Sequence, residues 1–261
     1  MKKLLGIILL VFLLSANANA GSNGQDYLSK NKNGEVKDCF ESINRGIFAF
    51  NQGLDQIVIE PMAKGYKHLP SPIRAGTSNV FNNLSNVVTI PNNLLQGDFK
   101  SAGTNAIRFV INTTLGIVGI FDAAEHIGFE KLEKEDYGQT LGAWGVGPGC
   151  YLVLPVLGPS TVRDSIGSIS NFVGGDVWYN ITVANDTQYF NEGDYFISRG
   201  AQGIDFRAKN IKSFDNLEKN SIDYYASIRS LYLQDREQKI LNSKKITDTM
   251  DDSDWEEIDS K

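Results

Sequence analysis

The stretch YGQTLGAWGVGPGCYLVLPVLGPSTVRDSIG, residues 137–167, constrains how the rest of the chain can fold. No charged residue occurs between Gly138 and Val162, yet these 25 residues contain six glycines and three prolines. A single membrane-spanning helix cannot run through them, because each glycine weakens a helix and each interior proline breaks it. At membrane depth, irregular apolar backbone is tolerated only where it is buried in protein or lines a cavity. The stretch therefore predicts either the wall of a cavity or a Gly/Pro-rich core loop of a soluble domain.

Amphipathic helices are predicted before this stretch, because apolar residues recur there at spacings of three and four. One begins at Phe40 and is expected to end at Pro61. A second is opened by Ser71-Pro72 and is expected to stop before Pro91. A third is capped by Asp98 and ended by Gly116, and Asp122 caps a short turn. The side chains expected to face inward are Phe40, Ile43, Ile47, Phe50, Ile73, Val80, Leu84, Val87, Phe99, Ala102, Ala106, Phe109 and Val110.

Helix is also predicted after the stretch. Thr161 and Asp164 have the spacing of a capping box, and Ile166, Ile169 and Phe172 continue the helix that it opens. Residues 174–203 give no firm assignment. A long C-terminal helix or helix pair carries an apolar stripe from Ile204 to Tyr232. The best strand candidate is 151–157, although Pro155 weakens it. The prediction is a mainly α fold with a single domain over residues 38–245.

The two ends of the chain differ from this domain in composition. Residues 1–20 have the basic start, short apolar segment and Ala-Asn-Ala site of a cleavable secretory signal peptide. Residues 21–37 are polar and predict a flexible lead-in, and residues 246–261 hold seven acids against one lysine and predict a disordered tail. Removal of the signal takes the formal net charge from −6 to −8, which argues against nucleic-acid binding.

The sequence offers no catalytic or metal-binding signature. It lacks the G-x-S-x-G elbow of α/β-hydrolases, and its two histidines, His68 and His126, stand apart from any Ser/Asp or Cys partner. The cysteines lack the paired spacing of a zinc site. Gly145, Gly147 and Gly149 form a G-x-G-x-G run without the following helix and acidic residue of a dinucleotide site. We therefore expect no enzyme activity, no metal and no cofactor.

Four segments, in order, resemble the MlaA/VacJ family of Gram-negative outer-membrane proteins. They are INRGIFAFN (43–51), RFVINTTLGIVGIFDAA (108–124), TLGAWGVGPGCYLVLPVLGPSTVRDSIG (140–167) and LEKNSIDYYASIRSLY (217–232). The resemblance covers residues from about 38 to 238. It implies a ring of membrane-parallel helices around the central stretch, enclosing an amphipathic channel.

The function that this resemblance implies is non-enzymatic phospholipid transport. The protein would lie in the outer membrane on its periplasmic side and remove misplaced phospholipid from the outer leaflet. It would pass the lipid to a soluble periplasmic carrier, with a trimeric porin as its membrane partner. The direction of transport comes from the resemblance alone.

Candidate residues for the lipid path follow from this reading. The helix from Ile43 to Asn51 frames the path, and neutral side chains could contact a headgroup without trapping it in an ion pair. The glycines allow close helix packing or loop movement. Arg163, like Arg108, needs an anionic partner, either a lipid phosphate or a buried carboxylate. The candidates are Ile43, Asn44, Phe48, Asn51, Gln139, Thr140, Gly142, Gly145, Gly147, Gly158 and Arg163.

The cysteines depart from the family pattern. Its members usually carry a lipidated Cys directly after the signal peptide, but residue 21 is Gly and the first cysteine is Cys39. We therefore expect attachment through the folded protein or its partners. Cys39 and Cys150 both replace residues that are usually proline in the family. Two such changes in one exported chain predict a disulfide, with two unpaired buried thiols as the alternative.

Two other functions remain open at the sequence level. A periplasmic phospholipid-modifying enzyme, such as a phospholipase, could assemble its site from Ser or Asp residues that are distant in sequence. A soluble lipid carrier would need no membrane attachment. Turnover of phospholipid would identify the enzyme, and recovery in the soluble periplasmic fraction would identify the carrier.

Overall fold

The computed structural model describes residues 36–185 and 187–256, with side chains described up to residue 242. The predicted signal peptide, Gly21, most of the lead-in and the last five residues of the tail lie outside the described residues. Residues from Asp38 onward form one compact unit. The predicted mainly α single domain is confirmed.

Helices account for most of the described chain, interrupted by one β-hairpin and three short π-helical segments. The α-helices are α1 (Glu41–Leu54), α2 (Glu60–Lys67), α3 (Ser71–Leu95), α4 (Phe99–Thr114), α5 (Ala123–His126), α6 (Tyr137–Ala143), α7 (Val162–Ser170), α8 (Val177–Tyr179), α9 (Glu192–Asn220) and α10 (Tyr224–Glu256). The strands are β1 (Tyr151–Leu154) and β2 (Gly158–Thr161), and the π segments are π1 (Asp55–Ile59), π2 (Asn171–Gly175) and π3 (Asn180–Ala184).

Contacts between these elements close a circuit. Helix α3 packs on α9, α9 packs on α2, and α2 continues through π1 into α1. Helix α1 contacts β1, the hairpin contacts α10 through β2, and α10 packs on α6, which returns to α3. The uncharged stretch contributes α6, β1 and β2 to this circuit. A small apolar core of Ala63, Ala208 and Ile211 joins α2 to α9.

Pro61 does not end the first helix, as the sequence predicted; it lies in the first turn of α2. The N–H of Glu60 donates to the carbonyl of Asp55, five residues back, so π1 resets the helical register just before the proline. A proline in the first turn is tolerated, since its missing N–H would lack a helical partner there. The chain thus stays helical from Glu41 to Lys67.

Pro91 does not stop α3, and Pro70 rather than Ser71 precedes its first residue. An interior proline costs a helix about 3 kcal/mol. Side-chain hydrogen bonds beyond the proline offset that cost. Asn105 of α4 donates to Asn93 at 2.9 Å, and Thr140 of α6 donates to Asn92 at 2.6 Å.

The strand candidate at 151–157 is half of a hairpin that the sequence did not predict as a unit. Strand β1 ends at Leu154, immediately before Pro155, and pairs antiparallel with β2. The turn places Val156 at φ 67° and Gly158 at φ 83°. Gly158 therefore allows the positive φ angle that the turn requires, which a residue with a side chain rarely adopts.

The predicted caps of three helices are confirmed. The side chains of Asp98, Asp122 and Thr161 accept hydrogen bonds from the backbone N–H of Ser101, Glu125 and Asp164. Only half of the predicted capping box forms, because the carboxylate of Asp164 bonds to arginine and tyrosine side chains instead. In the tail for which disorder was predicted, residues 246–256 continue α10.

In α3 and α4, several apolar side chains predicted to face inward are exposed, and polar side chains are buried instead; Ala102 is buried as predicted. In α4, Phe99 and Val110 are 68% and 59% exposed, whereas Asn105 and Arg108 are 1% and 4% exposed. Ile73 of α3 and Ile166, Ile169 and Phe172 at the α7 end are exposed as well. The periodicity was read correctly, but the assumption that the apolar side faces inward was wrong for these exposed side chains.

Candidate functional site

The interior of the described domain is polar. Buried asparagines and threonines extend along α3, α4 and α6, and several of them form hydrogen bonds with one another. Asn83 donates to Thr113 at 2.9 Å, and Gln96 donates to Thr140 at 2.9 Å. The buried polar residues of these helices include Asn83, Asn86, Thr89, Asn92, Asn93, Asn105, Asn112, Gln139 and Thr140.

The exterior of the same unit is apolar. Soluble proteins rarely expose large contiguous apolar patches, and such a surface marks a membrane or protein contact. Leu115, Ile117, Val118, Ile120 and Phe121, between α4 and α5, are all exposed. Among the described residues, no helix is both long enough and apolar enough to cross a bilayer.

The two arginines that needed partners find carboxylates inside the protein. Nη2 of Arg108 lies 2.9 and 2.7 Å from the two carboxylate oxygens of Asp122. Nε of Arg163 donates to Asp164 at 3.0 Å. Of the two partners predicted for these arginines, the buried carboxylate is the one found, so neither cation needs a lipid phosphate.

A wider ion-pair network centres on Arg236 of α10. Its guanidinium donates to Asp136 at 2.6 and 2.9 Å and to Asp164 at 2.9 Å, and Tyr232 donates to the second oxygen of Asp164 at 2.7 Å. Burial would raise the pKa of Asp136, but the hydrogen bonds and charge of Arg236 outweigh it and lower the pKa to about 2. The same guanidinium outweighs burial at Asp164 and lowers its pKa as well. We call Asp136, Asp164 and Arg236 the arginine bridge.

Asn44 and Asn51 attach α1 to the hairpin. The amide of Asn44 donates to the carbonyl of Tyr151 at 3.0 Å and accepts from the N–H of Val153 at 2.9 Å. Asn51 bonds in the same way to Leu154 at 2.9 Å and to Val156 at 2.7 Å. Two asparagines seven residues apart therefore form hydrogen bonds with the backbone N–H and C=O groups of β1 and of the turn that follows it.

The disulfide between Cys39 and Cys150 attaches the hairpin to α1 a second time. The Cα atoms of the two residues are 5.6 Å apart, and 111 positions separate them in sequence. The bond lies directly before α1 and directly before β1. It joins the start of α1 to the start of β1, next to the bond between Asn44 and Tyr151.

One cavity, of about 270 Å³, lies between α3, α6, α9 and the loop before α6. Its wall is mixed: Phe81, Leu84, Val88 and Trp178 give apolar surface, and charged and amide side chains give the rest. We call it the lysine cavity, after Lys134. The polar lining residues are Ser85, Thr89, Lys134, Glu135, Asp136, Gln139, Asn171, Asp176, Ser198, Arg199, Gln202 and Lys239.

A second cavity, of about 310 Å³, lies between the hairpin, α7 and α10, and we call it the hairpin cavity. Leu154, Leu157 and Pro159 form its apolar side. Asp136 and Asn171 line both cavities, and all three residues of the arginine bridge line the hairpin cavity. The bridge therefore lies where the two cavities approach each other.

The structure separates the predicted site residues into different environments. Gln139 lines the lysine cavity; none of the other predicted residues lines either cavity. Asn44, Asn51 and Thr140 use their polar atoms for hydrogen bonds inside the protein. Ile43 is exposed on α1, and Phe48 packs edge-on against Tyr224 and Tyr225.

The glycines serve different purposes. At Gly142 an added Cβ would lie 2.6 Å from Cδ1 of Ile240, so this glycine permits close contact with α10. Gly145 has φ 91°, and open space surrounds both Gly145 and Gly147.

Sequence reasoning missed Lys134, Asp136 and Arg236. The charged segment at 130–136 was read as a connecting loop, although it directly precedes the uncharged stretch. A charged residue directly beside a long uncharged segment could have been recognised in the sequence, because it marks the end of that segment. The long-range partner of Asp136, 100 residues away, had no local signal.

Nothing in the described residues resembles a catalytic or metal centre. His68 is on the surface, and His126 is exposed and bonded through Nδ1 to the carbonyl of Asp122 at 2.8 Å. No group of three or more potential metal ligands occurs in the part of the chain that the structure describes. The described residues form two cavities and several ion pairs, which suit the binding of a ligand.

Comparison with known proteins gives consistent matches. The family model described as "MlaA lipoprotein" matches residues 36–239. An uncharacterized protein of Rickettsia bellii is 38% identical over 216 residues, covering 81% of each chain. The intermembrane phospholipid transport system lipoprotein MlaA of Haemophilus influenzae is 32% identical over 257 residues, covering 96% of this chain and 98% of the relative. The protein of the same name from Escherichia coli is 33% identical over 201 residues, 76% of each.

A solved structure also matches. It is described as "Structural basis for maintenance of bacterial outer membrane lipid asymmetry" and superposes with a TM-score of 0.65 at 31% identity. The match covers 78% of this chain and 99% of the solved one. Sequence and structure thus agree over the segment that carries the circuit and both cavities, and the chain belongs to the MlaA lipoprotein family.

Proposed function

We propose that this protein is a non-enzymatic conduit for phospholipid at the outer membrane. The observation that carries the proposal is the reversed burial: polar side chains face the interior and apolar side chains face outward. In a membrane the outside is hydrocarbon, so this arrangement shelters polar groups from lipid and presents apolar surface to it. The relatives named for intermembrane phospholipid transport support the same function.

The two cavities form the path in this proposal. Each is at or near the lower end of the usual range for ligand pockets, about 300–1,000 Å³. Each therefore holds a headgroup and the adjoining acyl carbons rather than a whole phospholipid. The mixed lining suits that part of the molecule, which is polar at one end and apolar at the other. Passage between the cavities requires the arginine bridge to move, because Arg236 joins α10 to Asp136 and Asp164.

The exposed apolar surface supports placement at the periplasmic side of the outer membrane. Attachment then comes from this surface and from a membrane partner. Following the family resemblance, we assign a trimeric porin as that partner and a soluble periplasmic protein as the carrier that receives the lipid. From the same resemblance we take the direction of transport, which is removal of misplaced phospholipid from the outer leaflet.

The test is capture of phospholipid by purified protein. Protein extracted in mild detergent is mixed with vesicles of phosphatidylethanolamine and phosphatidylglycerol and then analysed by native mass spectrometry. We expect intact phospholipid on the protein and no lysophospholipid or free fatty acid in the mixture. Steady release of such products would show an enzyme and contradict the proposal.

A pair of matched variants connects binding to the cavity. Ser85 lines the lysine cavity, whereas Ser42 is exposed on α1. Ser85→Trp is expected to fill the cavity and abolish lipid capture, and Ser42→Trp is expected to leave it unchanged. Equal capture by both variants would place the lipid elsewhere.

A further inference from the structure

Lys134 is a half-buried cation with a neutral partner. Its Nζ donates to the amide oxygen of Asn86 on α3, and no carboxylate of the described residues lies within salt-bridge distance of it. Burial, together with repulsion from Lys131 and Arg108, lowers the pKa of Lys134 to about 8. An ammonium group in such a place gains from an anion that neutralises it.

The other cations at this cavity are already neutralised. Arg199 forms an ion pair with Asp176, and Lys239 forms one with Asp235 at 2.8 Å. Arg236, on the far side of the shared wall, is held between Asp136 and Asp164. Lys134 therefore differs from its neighbours in having an amide, rather than a carboxylate, against its charge.

Gln139, which lines the same cavity, has an unused acceptor. Its Nε2 donates to the carbonyl of Lys134 at 3.1 Å and to Asp136 at 3.0 Å. Both partners are acceptors, so the nitrogen must face them, and this fixes the orientation of the amide. Oε1 is left without a partner although the residue is only 3% exposed. A buried acceptor without a donor has a free-energy cost that a ligand N–H or O–H would remove.

We propose that Lys134 and Gln139 form a headgroup subsite in the lysine cavity, in which Lys134 binds the phosphodiester and Oε1 of Gln139 accepts from a headgroup N–H or O–H. The inference rests on the proposed function and adds a preference among lipids. Phosphatidylethanolamine and phosphatidylglycerol supply both the anion and the donor. Phosphatidylcholine supplies the anion but no donor, and diacylglycerol lacks the phosphodiester.

The experiment measures the bound fraction of each lipid by native mass spectrometry of the full chain in detergent, with identical acyl chains throughout. We expect phosphatidylethanolamine to bind about tenfold more tightly than diacylglycerol, because one charge-assisted hydrogen bond strengthens binding by about this factor. Lys134→Gln should abolish that difference, and Lys134→Arg should retain most of it. Lys131→Gln is the control, because Lys131 is exposed in the same loop and its removal cannot weaken the charge on Lys134.

The role of Oε1 of Gln139 as an acceptor is tested by comparing phosphatidylethanolamine with phosphatidylcholine. Gln139→Met should remove the preference for phosphatidylethanolamine over phosphatidylcholine, whereas Gln139→Glu, which keeps an oxygen at this position, should preserve it. Inorganic phosphate is titrated separately by calorimetry. Binding of inorganic phosphate as tight as that of phospholipid would show a site for the free anion and overturn the lipid assignment.

Failure of this subsite and failure of the conduit give different results. If Lys134→Gln binds phospholipid with an unchanged preference over diacylglycerol, the subsite is wrong and the conduit stands. If the unaltered protein captures neither phospholipid nor diacylglycerol, the conduit itself is wrong. Correct folding of each variant is checked by the disulfide state and the helical circular dichroism signal.

Discussion

Arg236 donates two hydrogen bonds to Asp136, of 2.6 and 2.9 Å, across 100 positions of sequence. The pair connects the end of the charged loop at 130–136 to the middle of α10. A third bond from the same guanidinium reaches Asp164 in α7, so three parts of the circuit meet at one side chain. The stability of the fold therefore depends on Arg236.

Removal of this cation should destabilise the protein strongly. Arg236→Met leaves the buried carboxylate of Asp164 with less compensation and Asp136 without its main partner. Breaking a buried pair from one side costs about 3–5 kcal/mol, so the urea midpoint in detergent should fall markedly. Lys64→Met, which breaks an exposed pair with Glu60, should change the free energy of unfolding by less than about 1 kcal/mol. Equal effects of the two variants would contradict the central role of Arg236.

Acid should weaken the fold through Asp136. Its pKa lies near 2 in the folded chain and about 3.9 in an unfolded one, so the unfolded state binds the proton more readily. The stabilisation is complete above about pH 4 and is lost as the pH falls toward 2. Melting temperatures measured from pH 5 to pH 2 should show this decline. Asp136→Asn should flatten the profile in that window, and a profile unchanged by this substitution would refute the assignment.

Reduction of the disulfide should lower stability substantially. A cross-link closing about 110 residues restricts the unfolded chain by about 4–5 kcal/mol in the entropic description. Dithiothreitol should therefore lower the unfolding midpoint of the native protein. The double variant Cys39→Ser with Cys150→Ser should begin at the lower midpoint and show no response to the reductant. Two free thiols in the non-reduced protein would disprove the bond.

Gly167 should not tolerate a side chain. A Cβ there would lie 2.3 Å from the backbone nitrogen of Gly138, because α7 and α6 cross at these two glycines. Gly167→Ala forces backbone apart and should cost about 1–3 kcal/mol. Gly46 lies in α1 with open space around it, so Gly46→Ala should raise stability by about 0.5–1 kcal/mol. Opposite shifts of the two denaturation midpoints are expected, and a stable Gly167→Ala would mean that the helices do not meet there.

Phospholipid retention should depend on pH near neutrality. Lys134 carries its charge below a pKa of about 8 and loses it above, so retention should fall between pH 7 and pH 9. Lys134→Arg should remain flat over this range, since arginine stays charged. A fall of the same size in Lys134→Arg would assign the effect to another group. The charged groups around Lys134 are Lys131, Arg108, Asp122, Glu135, Asp136, Asp176, Arg199 and Lys239.

Local features of the fold were readable from the sequence. The caps at Asp98, Asp122 and Thr161 were predicted because a capping side chain acts on a backbone N–H only two or three residues away. The disulfide was predicted from two unusual cysteines in the family pattern. The apolar periodicity of α3, α4 and α7 was also correct as a pattern.

The orientation of those helices could not be obtained in the same way. Periodicity identifies two faces of a helix, but it does not say which face is buried. In this protein many of the buried side chains are polar and many of the exposed ones are apolar. The helix ends predicted at Pro61 and Pro91 were wrong because the cost of a proline inside a helix is offset by features that are not visible in the local sequence. At Pro61 the feature is a π turn, and at Pro91 it is long-range hydrogen bonds to Asn92 and Asn93. Of the predicted site, Gln139 was placed at a cavity, whereas Lys134 and Arg236 act through partners that no local pattern reveals.

The outward apolar surface has a consequence for how the protein is made. A chain that folds with Phe99, Leu115 and Val118 uncovered would self-associate in an aqueous compartment before reaching its destination. The chain should therefore stay monomeric only when lipid, detergent or another protein covers these side chains. Overproduction without such a cover should yield aggregates of folded chains whose own interiors are already hydrogen-bonded.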